Sequence, residues 1–126
     1  MIYAILIYGV DGVFERLPEE EQQALLAKHG ELQKVMGERG GLGAVAKLMK
    51  PQTAMSLRQS SGSVIATDGP FTETKEQLLG LYLIRCDTME EAIEAAKILP
   101  AEIASYEIRP VEWSNWSEGD GQAGDD

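Results

Sequence analysis

Cysteine and histidine are nearly missing from this chain, with Cys86 and His29 the sole examples of their types. One cysteine allows no intrachain disulfide and no cysteine-only metal cluster, and with one imidazole a zinc site would need carboxylates or a second chain. No run of about 18 apolar residues occurs, so no membrane-spanning helix is expected. The opening stretch Met1-Ile2-Tyr3-Ala4-Ile5-Leu6-Ile7 lacks a basic leader and soon meets Asp11 and Gly12, which argues against a secretion signal. A cytoplasmic location is therefore the default expectation. Basic residues are also scarce: 11 Lys and Arg stand against 21 Asp and Glu, for a net charge of −10. Glu118, Asp120, Asp125 and Asp126 carry four of those charges, leaving −6 on residues 1–116. So acidic a surface repels phosphate backbones, and direct contact with nucleic acid is not expected.

What is present is an ordinary globular composition. The 126 residues are 44% hydrophobic and 25% charged, enough for one domain with its own core. Residues 2–8 are apolar on both alternating sets, which predicts a strand covered on both faces. Pro18 followed by Glu19, Glu20 and Glu21 opens a helix, because proline suits the first turn and acids suit the positive end of the dipole. Leu25, His29, Leu32 and Met36 then share one face until Arg39, Gly40 and Gly41 end it. Strands are predicted over residues 42–49, 53–59 and 63–67, the last two joined by a hairpin turn at Ser60-Ser61-Gly62. Thr74 and Gln77 could cap one helical turn before a clear strand over 78–86. Thr88 and Glu91 form a capping box that opens a second helix, stopped by Pro100. A last strand covers 106–113, with Pro110 at an edge or strand end, and residues 114–126 read as an acidic, flexible tail.

The order β-α-β-β-β-α-β is the split βαβ, ferredoxin-like plan of an α+β protein with one added strand in the middle. Two helices cover only one face of such a sheet, yet two central strands are apolar on both faces. A second copy stacked on the open face is the simplest cover, so a homodimer is expected.

Residues 67–84 organise the rest. Asp68-Gly69-Pro70-Phe71-Thr72-Glu73-Thr74-Lys75-Glu76 places a turn, an aromatic anchor and a dense polar cluster directly before an apolar strand. This stretch resembles the signature of YCII-related proteins of the DGPF type, and the first and last strands extend the resemblance over residues 1–113. The resemblance implies a dimeric α+β barrel, close in shape to small lactone isomerases and cofactorless monooxygenases. Most members of that family have no assigned reaction, a His-Asp dyad has been suggested for some, and bacterial members often sit beside extracytoplasmic-function sigma factors. Leu79 and Leu81 depart from the usual pattern, which more often has glycine and an aromatic there.

His29 is the one side chain that titrates near neutrality without perturbation. It reads either as an acid or base facing a pocket, paired with Asp68, or as a boundary histidine satisfied by a carbonyl. Asp68 could orient His29, act as a base, or hydrogen-bond its own turn. Glu73, Thr74, Lys75 and Glu76 could bind a substrate carboxylate and move a proton, or lie in solvent. Phe71 and Tyr82 complete the candidate substrate-binding set. Two functions follow from these residues. One is a cofactor-independent, metal-free acid/base enzyme or binding protein for a small carbonyl or lactone molecule. The other is a regulatory module that docks a basic partner such as a sigma factor.

Overall fold

The computed structural model describes residues 1–116. Its order is β1 (Ile2–Val10), α1 (Glu19–Glu38), β2 (Leu42–Lys47), β3 (Met55–Ser60), β4 (Ser63–Asp68), β5 (Glu76–Arg85), α2 (Met89–Ala96) and β6 (Ala104–Pro110), with 3-10 turns at Phe14–Arg16 and Pro51–Thr53. A four-stranded sheet runs β2-β5-β1-β6, and β3 and β4 form a separate two-stranded sheet. All pairings in both sheets are antiparallel.

Two sequence expectations need correction. The closed, dimeric α+β barrel is not what the chain forms. Its sheet is open, with β2 and β6 as edges. Nor is one extra strand added to the middle of a sheet. The four strands predicted one by one between the helices all form, one more than the β-α-β-β-β-α-β order counts, and two of them leave the main sheet as a hairpin. The reason is the connection: Ser61 and Gly62 both take positive φ, 51° and 82°, a tight turn that pairs β3 with β4 from Met55↔Asp68 to Ser60↔Ser63.

The helices form where their ends are signalled. Pro18 precedes α1, with Glu19, Glu20 and Glu21 in its first turn, and Gly41 N–H closes its far end on the Met36 carbonyl at 2.8 Å. At α2 the Thr88 hydroxyl accepts from Glu91 N–H at 3.2 Å, and the Glu91 carboxylate accepts from Asp87 N–H at 3.0 Å. No helical turn forms at Thr74. Gln77 Nε2 instead donates to the carbonyls of Thr72 and Thr74, each at 2.9 Å, and β5 has already begun at Glu76. The last strand ends at Pro110, where it pairs with Tyr3 on an edge. The expected tail falls mainly on 117–126, outside the described residues. Just before them, Trp116 lies half-buried under the Arg85 guanidinium, 4.1 Å from its ring.

The core sits under α2 and the C-terminal half of α1, where Leu32 and Met36 meet Tyr3, Ile5, Tyr82 and Ile84. Ala92, Ala95 and Ala96 are all buried, and their small side chains let α2 approach the sheet closely. The N-terminal half of α1 does not close on the sheet in the same way. Beneath it the sheet carries Gly80 in place of a side chain, and a cavity opens there.

Candidate functional site

The cavity holds about 660 Å³ and is bounded by α1, the face of β5 and β2, and the loops after β1 and β2. Its lining is mainly apolar, including Ile7, Phe14, Leu25, Val45, Leu79 and Ile103. Gly80 forms part of the floor because β2 and β5 run unusually close there. A Cβ at that position would sit 2.5 Å from the Ala46 carbonyl oxygen. A bulge between Ile7 and Tyr8 skips Leu79 in the β1–β5 register, and both Leu79 and Gly80 consequently face the cavity. Leu81, the other departure from the family pattern, does not line it.

One polar cluster stands in this apolar wall. His29 Nδ1 lies 2.8 Å from the Tyr82 hydroxyl, the rings stack with centroids 5.9 Å apart, and Gln33 Nε2 donates to the same hydroxyl at 3.2 Å. With Gln33 donating to the oxygen, the hydroxyl proton of buried Tyr82 has one acceptor within reach, His29 Nδ1. That assigns the imidazole proton to Nε2. No described residue bonds Nε2, so it is the ring nitrogen left for a cavity ligand. Burial, with a smaller contribution from the charge of Lys47, lowers the His29 pKa below 6.5 and favours the neutral ring. Burial pushes Tyr82 upward. Tyr106, whose hydroxyl donates to the Pro100 carbonyl on another wall, is pushed up to about 12, burial again being the main cause.

The other sequence-derived candidates lie elsewhere. Asp68 ends β4 opposite Met55, exposed, and does not line the cavity of His29. The imidazole hydrogen-bonds Tyr82 and not Asp68. Phe71 is 62% exposed, its ring beneath the Arg58 guanidinium at 4.1 Å. Glu73, Thr74 and Lys75 border a shallower depression of about 350 Å³ with Gly69, Pro70 and Gln77. Glu76 pairs with Val10 at the start of β5 and lines neither space. The two hollows share Val10, Asp11 and Pro51 as a common wall, and Gln52 Nε2 ties that wall together by donating to Asp11 at 2.9 Å. The signature loop therefore neighbours the histidine cavity without entering it.

Sequence reasoning passed over Gln33 and Lys47. Gln33 follows His29 by four positions, so both occupy one helix face, a spacing legible in the sequence. Lys47 could be placed only once the β2–β5 register was known, Val45↔Tyr82 and Lys47↔Gly80. Among the described residues no cluster of His, Cys, Asp or Glu is arranged to hold a metal ion, and no helix is long and apolar enough to cross a membrane. Cys86 is buried, and burial raises its thiol pKa.

Comparison with known proteins matches nearly the whole described chain. A family model described as the YCII-related domain matches residues 1–115. An uncharacterized protein of Rhizobium meliloti (strain 1021) is 41% identical over 114 residues, covering 88% of this chain and 92% of the relative.

Proposed function

The chain belongs to the YCII-related domain family, and on that premise we propose that it binds a small carbonyl or lactone-type molecule in the cavity beside His29. The single observation that carries this reading is the His29 imidazole, hydrogen-bonded to a Tyr82 hydroxyl that also accepts from Gln33, in the wall of a mainly apolar space. A neutral Nε2–H is suited to polarise a carbonyl oxygen, and the same ring can accept or return a proton in the course of acid/base chemistry. Such work requires neither metal nor organic cofactor. Glu73, Thr74 and Lys75 are proposed as a flanking rim rather than partners of the imidazole, since they border the adjoining hollow, whereas Asp68, Phe71 and Glu76 line neither space.

The test is titration of the 15N-labelled protein with δ-valerolactone. Shifts concentrated on His29, Gln33, Gly80 and Tyr82, and lost in His29→Ala, are the expected result. Shifts confined to the 68–76 loop, or none, would overturn the reading.

A second proposal concerns assembly. The β3–β4 register places Met55, Leu57, Val64 and Ala66 on one face of the hairpin, and Met55, Leu57 and Val64 are 59%, 66% and 69% exposed. An isolated two-stranded hairpin is marginal in water, so a second copy of the chain covering this ribbon supports a homodimer.

A further inference from the structure

Lys47, an exposed residue of the edge strand β2, borders the mainly apolar cavity, and no anion meets it there. It pairs with Gly80 across the sheet, so its side chain leaves on the same face as Val45 and Tyr82. Its Nζ lies 5.3 Å from the centroid of the Phe14 ring, another cavity wall. Among the described residues no carboxylate is within ion-pair distance of it. The remaining charged groups around the cavity are Lys50, Asp11 and Glu15. Asp11 already accepts from Gln52. Lys50 and Glu15 come from the bounding loops, whereas Lys47 stands on β2, and its charge is felt at His29.

We propose that the cavity's ligand is an organic acid, an apolar body with one carboxylate, whose oxygens are bound between the Lys47 ammonium and His29 Nε2–H. This rests on the cavity being the binding site and goes further by naming the ligand's charge and its counter-ion. An ammonium at the border of a mainly apolar cavity supplies charge-assisted hydrogen bonds, and the imidazole supplies a second donor. Burial first, and the charge of Lys47 second, weigh against protonation of His29. The apolar remainder of the wall, with Leu79 and Phe14, takes the ligand's body and disfavours small hydrated anions such as inorganic phosphate.

The experiment compares phenylacetate with its neutral isostere phenylacetamide by NMR titration, first on the unmodified chain and then on Lys47→Met. The expected result is shifts at His29 from both compounds, with phenylacetate about tenfold tighter, equivalent to one favourable ion pair, and that preference lost in Lys47→Met. Equal affinities for the two compounds on the unmodified chain would overturn the assignment while leaving the cavity as a binding site. A preference that survives in Lys47→Met would overturn it as well. If neither compound moves His29, the assignment and the cavity reading fall together. The comparison on the unmodified chain needs no variant to fold, and Lys47→Glu, expected to favour the amide, provides a second check.

Discussion

At the scale of single residues, His29 couples the site to the stability of the fold. Its pKa is lowered in the folded state, so folding disfavours the protonated ring. Well above pH 6.5 the ring is neutral in both states and carries no penalty. As pH falls through 6.5 the unfolded chain takes up the proton first, and stability is lost until the folded ring is protonated too. Urea unfolding at pH 7.5 and pH 5.0 is expected to show this loss, and His29→Gln should reduce the difference between the two pH values. An undiminished difference in that variant would assign the pH sensitivity to other groups. Of the site itself, His29 and Tyr82 were legible as residues, and Gln33 was legible by spacing. The pairing of His29 with Tyr82 was not, because fifty-three residues separate them in the chain and only the packing of α1 on β5 brings them together.

At the scale of elements, the junction of β2 and β5 decides whether the cavity has a floor. Gly80 permits an approach that a Cβ would block at 2.5 Å from the Ala46 carbonyl. Gly80→Ala is expected to cost about 1–3 kcal/mol through forced displacement of the edge strand. Hydrogen exchange should locate the loss in the amides of β2, and unchanged protection there would argue that the strand moves aside freely. Apolar periodicity and end signals marked both helices and all six strands to within a few residues, since those signals are local. The hairpin turn at Ser60-Ser61-Gly62 was legible too, and it pairs strands 53–59 and 63–67 as expected. What the pattern could not show is that this hairpin stands outside the four-stranded sheet.

At the scale of the whole molecule, the open sheet and the projecting hairpin leave apolar surface uncovered. If a second copy covers the Met55, Leu57 and Val64 ribbon, analytical ultracentrifugation at micromolar concentration should give twice the chain mass. Leu57→Glu combined with Val64→Glu should then release monomer that keeps the β1–β5 core. A monomer from the unmodified chain would remove the homodimer proposal. The net charge of −10 opposes association by like-charge repulsion, so added salt should favour the paired form.

The amino-acid order alone determined the α+β class, the helix boundaries, the turn at Ser61-Gly62 and the Asp-Gly-Pro-Phe family motif, because each depends on residues within a few positions of one another. Tertiary structure decided that the motif's loop stands beside the histidine cavity instead of inside it, that Tyr82 rather than Asp68 holds the imidazole, and that Lys47 faces the same space. Those outcomes depend on strand register and on where α1 rests against the sheet. Both are set by the sum of many long-range contacts, which no short window of sequence contains.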